Sequence, residues 1–121
     1  MYRGDIRAGQ VIRFRWNTFG SSGQSITRAT NGTISVYKDG SAVQSTTGVT
    51  DTEDADAITG VHLCEIDTSA DATFYSQGSD FMVVLSAATI DGQVVAAVIA
   101  EFSIRNRSVP ARFAMASPAF A

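Results

Sequence analysis

Between Phe81 and Ile104 the sequence admits few folds. Phe81, Val83 and Leu85 recur at every second position. After Ile90-Asp91-Gly92-Gln93, a second run places Val94, Ala96, Val98, Ala100, Phe102 and Ile104 on one face. A period of two marks an extended strand with a buried face. Asp91-Gly92 between two such runs predicts a tight hairpin, because the favoured two-residue turn needs positive φ at both central positions. The chain is therefore expected to be built on a long hairpin, 79–89 followed by 93–105, with the remaining strands packed against it.

Upstream, residues 10–17 read as a half-buried strand, with Ile12, Phe14 and Trp16 on one face and Val11, Arg13 and Arg15 on the other. Further strands are expected at 32–38, 41–46 and 59–67, with a short edge piece near 48–50. Residues 1–9 read as a polar lead-in. Residues 18–32 read as a Gly/Ser/Thr-rich loop anchored by Ile26, and 67–73 as turn chemistry with room for a single helical turn. Phe74-Tyr75, Gly78 and Asp80-Phe81 resemble the corner that leads into the sixth strand of immunoglobulin-like and fibronectin-type sandwiches. The expectation is one all-β domain over 1–107, an immunoglobulin-like or fibronectin-type antiparallel sandwich of about seven strands, followed by an extended C-terminal arm, 108–121. At 121 residues the chain is long enough for one core without disulfides.

Charge is unevenly spread. Arg3, Arg7, Arg13, Arg15 and Arg28 face a lone Asp5 in the first 28 residues, whereas 39–104 contain no Lys or Arg and eleven acids. Such a chain can meet copies of itself with complementary potentials, and Arg3, Arg7, Arg13 and Arg15 are the candidate electrostatic contacts. The alternative is two solvated faces of one monomer. The net charge of −3 and the lack of a clustered basic surface argue against nucleic acid. No apolar signal core follows Met1 and no run reaches transmembrane length, so neither a membrane partner nor export is expected. The chain is expected to be made in the cytoplasm.

Residues able to carry chemistry are few. Asp51, Glu53, Asp54 and Asp56 are dense enough to raise the question of calcium, but they lack the alternation, the Gly and the closing Glu of a calcium loop. A solvated acidic rim is the expectation. His62 and Cys64 are the chain's one His and one Cys, and at i and i+2 they share a strand face. Two ligands do not make a zinc site, and a nucleophile pair would need an orienting third group and a cleft. Cys64 beside Ile66 reads as a small buried hydrophobe. No cofactor, no metal and no enzymatic activity are expected. Arg3-Gly4-Asp5 spells an integrin tripeptide and Asn31-Gly32-Thr33 a glycosylation sequon; both read as coincidences of short motifs.

A series of short motifs resembles a module of tailed-bacteriophage structural proteins. It comprises Tyr2-Arg3-Gly4-Asp5 with Gly9, Val36-Tyr37-Lys38-Asp39-Gly40 and Ile66-Asp67-Thr68-Ser69-Ala70-Asp71. It continues with Phe74-Tyr75, Gly78-Ser79-Asp80-Phe81 and Phe102-Ser103-Ile104-Arg105-Asn106-Arg107. The resemblance covers 1–107 and implies a virion component, often a head-proximal module of a fibre or other appendage, whose work is assembly. Members often continue into long repetitive extensions, whereas only a short tail follows here. A decoration, adaptor or baseplate protein is therefore also admitted, as is a carbohydrate- or receptor-binding sandwich using Phe19, Tyr37 and Tyr75. The implied partners are other virion proteins, with the chain a homo-oligomer or lattice-bound subunit.

The tail itself, with Val109, Phe113, Met115 and Phe120, is too apolar to be a solvating segment. It reads as an arm that docks on a neighbour, where each buried Phe would contribute on the order of 1.5–3 kcal/mol; the alternative is an end folded back on its own domain. On the hairpin, Met82, Val84, Ile90, Val95, Ala97 and Ile99 make the second face apolar too. With the tail residues, Met82, Val84, Val95 and Ile99 form the candidate assembly interface.

Overall fold

A computed structural model describes residues 2–105. Among the described residues eight strands form two facing sheets: β1 (Tyr2–Ile6), β2 (Val11–Asn17), β3 (Thr33–Lys38), β4 (Gln44–Ser45), β5 (Val49–Thr52), β6 (Val61–Asp67), β7 (Ser79–Ile90) and β8 (Gln93–Ile104). One sheet has the order β1-β8-β7-β3-β4 and the other β2-β6-β5. This is the expected all-β sandwich. The strand expected at 41–46 shortens to two residues, and the edge piece near 48–50 lengthens to four.

Between the sheets, Ile12, Phe14 and Trp16 of β2 and Cys64 and Ile66 of β6 face Ile34, Val36, Phe81, Val83, Leu85, Phe102 and Ile104. Phe81 and Phe102 stack with centroids 5.0 Å apart, and Phe74 meets Tyr75 edge-on at 4.9 Å. Both geometries are ones the ring quadrupole favours. Tyr75 is 1% exposed and donates its hydroxyl to the Thr47 carbonyl at 3.0 Å. It is a corner pin, and burial removes it from the candidate carbohydrate-binding aromatics. The turn at 67–73 contains a 3-10 turn, Thr68–Asp71, with the Asp67 side chain accepting from Ser69 N–H.

Two readings are corrected. Residues 1–9 are not a lead-in. Tyr2–Ile6 is a strand parallel to β8, paired with Glu101–Ile104, and its register shifts across Gly4, whose φ is +90°. Parallel pairing with a strand at the far end of the chain leaves no local signature.

The hairpin is the second correction. Asp91 and Gly92 have φ of 51° and 77°, as expected for its turn. However, Val83 pairs with Ala100 and Val84 with Val98, so Ile99 is an extra residue on β8; further on, Ser86 and Ala87 of β7 stand opposite the single Ala96, which adds one residue to β7. An inserted residue exchanges the two faces of a strand beyond it. Ala100, Phe102 and Ile104 face the core as expected, but Val94, Ala96 and Val98 turn outward, with Val94 78% exposed. Val95, Ala97 and Ile99 take the inner side instead.

Candidate functional site

Two features stand apart from the ordinary core: a buried polar cluster at the β2–β6 end of the sandwich, and a groove beside the exposed half of β8.

The cluster is organised by Arg28, which lies in the loop after β2 and is 4% exposed. Its Nη2 donates to Asp51 Oδ2 at 2.5 Å and its Nη1 to the Asn31 carbonyl at 2.9 Å. Glu53 lies 3.7 Å from its Nε, and the guanidinium sits 4.8 Å over the Trp16 ring. Trp16 Nε1 donates to the other oxygen of Asp51 at 3.0 Å. A buried guanidinium is tolerated when carboxylates and acceptors compensate it; here Nη1 and Nη2 are bonded, while the buried Nε has no hydrogen-bond partner and only the Glu53 charge at 3.7 Å beside it.

His62 fills the next position, fully buried and 4.6 Å from Trp16. The Asp54 backbone N–H donates to its Nδ1 at 3.1 Å, and Thr18 Oγ1 lies 2.9 Å from its Nε2. Because the Thr18 hydroxyl donates to the Ile26 carbonyl, it accepts from Nε2–H. The ring is thereby fixed as the neutral Nε2–H tautomer with both nitrogens engaged. Burial, reinforced by the Arg28 charge and opposed by Asp51, Asp54 and Glu53, pushes its pKa below the usual histidine value. Burial raises the Cys64 thiol to about 12. This arrangement stitches loops to a sheet; it presents no thiolate and no free imidazole nitrogen.

The acids of 51–56 are not a merely solvated rim, which corrects that expectation. Asp51 and Glu53 close on Arg28, and Asp54 accepts from the Thr27 hydroxyl and the Gly60 N–H, which together lower its pKa. Asp56 pairs with Arg15 at 3.1 Å. Among the described residues no group of three or more His, Cys, Asp or Glu is placed to hold a metal ion.

The basic N-terminal region likewise finds its acids within the chain. Arg13 meets Glu65 at 2.5 Å across the β2–β6 pair, Arg3 donates to the Arg13 carbonyl at 3.1 Å, and Arg105 meets Asp80 at 2.7 Å. Arg7 lies exposed between β1 and β2. Of the five N-terminal arginines, Arg13, Arg15 and Arg28 are thus taken up by ion pairs within the chain, so the charge asymmetry does not by itself call for a second copy.

The groove is apolar. It has a volume of about 540 Å³ and opens between Trp16, Phe19 and the residues that follow on one side, and Leu85, Ile90, Val95, Ala97 and Ile99 on the other. Phe19 stands 56% exposed at its rim. Beside it, β8 is paired with β7 along its length, but β1 covers its other edge only from Glu101 to Ile104. From Val94 to Ala100 that edge has no strand partner among the described residues, and it carries no charged side chain and no proline. Sheet edges are ordinarily blunted by such residues.

Of the expected assembly interface, Val95 and Ile99 line this groove, while Met82 and Val84 lie half-buried on the opposite face. The second apolar face thus splits in two at the bulge. Val109, Phe113, Met115 and Phe120 lie outside the described residues, as does the 107/108 boundary. The signal for the groove was present in the unbroken apolar run Val94–Ala100. The signal for Arg28 was fainter: a cluster of carboxylates with no cation nearby in sequence. No helix among the described residues is long and apolar enough to cross a membrane. No family model, curated protein or solved structure matches this chain.

Proposed function

We propose that this chain is a non-enzymatic structural module of a tailed-phage particle, which docks on neighbouring subunits through the β7–β8 hairpin and its C-terminal segment. The observation that carries the reading is the uncharged edge of β8 from Val94 to Ala100, unpaired among the described residues and flanked by an apolar groove that none of them fills. An isolated monomer with such an edge is a template for pairing with another chain. The motif series from Tyr2 to Arg107 supplies the phage assignment, and the order β2-β6-β5 facing β8-β7-β3-β4 supports the immunoglobulin-type reading. The sealed His62 and Cys64 favour assembly over catalysis.

Light scattering on the full-length chain across a hundredfold dilution tests the reading. A defined oligomer that dissociates on dilution is the expected result. A monomer at every concentration overturns self-docking.

A further inference from the structure

We propose that the groove and the open β8 edge receive the C-terminal segment of a second copy, with Phe113 and Met115 seated between Phe19 and Val95. This rests on the assembly reading above and specifies its site.

Three observations converge on that occupant. First, the edge calls for a strand whose alternate side chains are apolar and point into the groove. In the tail, Val109, Ala111, Phe113 and Met115 fall at period two, with Pro110 and Arg112 on the other parity. Second, the charges match. Asp91 is the charged residue lining the groove, and Arg112 is the charged residue of 108–121.

Third, reach distinguishes a neighbour from the chain's own tail. Arg105 N–H bonds to the Ile6 carbonyl, at the end of β8 away from the hairpin turn. Phe113 follows eight residues later and extends at most on the order of 28 Å from there. The position opposite Val95 lies nine residues back along β8 from Ile104, on the order of 30 Å away. β1 occupies the intervening edge, and the chain must also reverse direction around it. The two spans nearly coincide, so Phe113 of the same chain would have to be fully extended and also turn around β1 to arrive, whereas Phe113 of a neighbour has no such limit.

The test uses two full-length variants and their mixture, read by light scattering. Phe113→Asp alters only the donor segment, outside the described fold. Val95→Arg alters only the acceptor groove, at a half-buried position. Each alone is expected to dissociate at least tenfold more readily than the unaltered chain. Mixed one to one they should form heterodimers, because the first retains an intact groove and the second an intact donor.

Unchanged association of Phe113→Asp overturns the proposal while leaving the assembly reading in place. If Val95→Arg alone dissociates, the edge instead pairs with another β8. Two dissociated variants whose mixture stays monomeric also overturn it. An unaltered chain that is monomeric throughout overturns both. Should Val95→Arg fail to fold, unaltered β8 amides 94–100 that exchange equally fast in the full-length chain and in Phe113→Asp would overturn the proposal on their own.

Discussion

Asp51 holds Arg28 and Trp16 together: one carboxylate oxygen accepts from the guanidinium at 2.5 Å and the other from the indole at 3.0 Å. The carboxylate on the β5 edge strand is thus bonded both to the loop 18–32 and to the end of β2. Removing one partner of a buried pair costs more than the pair contributes, since the survivor loses its compensation in a low-dielectric site. Asp51→Ala leaves a side chain that is 1% exposed without its main counter-charge, and Glu53 at 3.7 Å compensates it only in part. A loss of about 3–5 kcal/mol is expected. Arg28→Met should cost less, because Asp51 retains the Trp16 N–H and partial access to water. Chemical denaturation of both variants measures the order; equal losses would refute this asymmetry.

His62 gives the fold a pH limit. The folded pKa is lowered, mainly by burial, so at mildly acidic pH the unfolded chain binds a proton that the folded chain refuses. Stability is fully present above the unfolded value of about 6.5 and is lost as pH falls below it. Protonation would also place a hydrogen on Nδ1 against the Asp54 N–H. The lowered carboxylate pKa values of Asp54 and Asp91 act in a separate window, near and below their ordinary 3.8. The denaturation midpoint should therefore drop between pH 6.5 and 5. His62→Gln, less stable at pH 7.5, should show a flatter profile across that interval. A His62→Gln profile parallel to that of the unaltered chain would exclude His62 as the source.

The parts of the fold legible in the sequence are those where one face is polar. Ile12, Phe14 and Trp16 alternate with Val11, Arg13 and Arg15, and the core side of β2 follows directly. From Val94 to Ile99 every residue is apolar, so either parity satisfies a period of two, and the bulge at Ile99 that decides between them leaves no mark in composition. β1 was hidden for a different reason. Tyr2-Arg3-Gly4-Asp5-Ile6 sets Arg3 and Asp5 against Tyr2, Gly4 and Ile6, but Ile6 is its one aliphatic anchor, and its partner lies about a hundred residues away. Arg28 defeated a rule that is usually sound, that an arginine in a polar loop is exposed. Its burial is set by Asp51, Glu53 and Trp16, partners that sequence proximity does not pair with it. The groove inherits this history, since its floor is the half of β8 whose orientation the bulge reverses.

Gly32 is held by contact as well as conformation. It sits at φ +74°, and a Cβ built there would stand 2.4 Å from the Ser86 carbonyl oxygen and 2.7 Å from Ala88 N, at the β7 irregularity. Both obstacles are backbone and cannot swing aside. Gly32→Ala should destabilise the fold by at least about 2 kcal/mol, combining a strained left-handed residue with overpacking. Gly92, at φ +77° with open space around it, carries the conformational part alone, and Gly92→Ala is expected to cost about 1 kcal/mol. Thermal unfolding of the two variants separates them, and a smaller loss at Gly32 would refute the contact argument.

Cys64 lies on β6, the central strand of the sheet between β2 and β5. It pairs with Phe14 on one side and Asp51 on the other and is fully buried, with its thiol pushed up from 9.0 to about 12. Thiolate is the reactive form, so at neutral pH its population falls by about three orders of magnitude relative to an exposed cysteine. An aromatic disulfide reagent at pH 7.5 should leave the native chain unmodified for as long as it stays folded, then titrate one thiol on adding denaturant. The rate in native buffer should track opening of the β2–β6–β5 sheet, and Asp51→Ala, which loosens β5, should accelerate it. Rapid labelling of the native chain would place Cys64 at an accessible surface and reopen the His62–Cys64 pair as a chemical site.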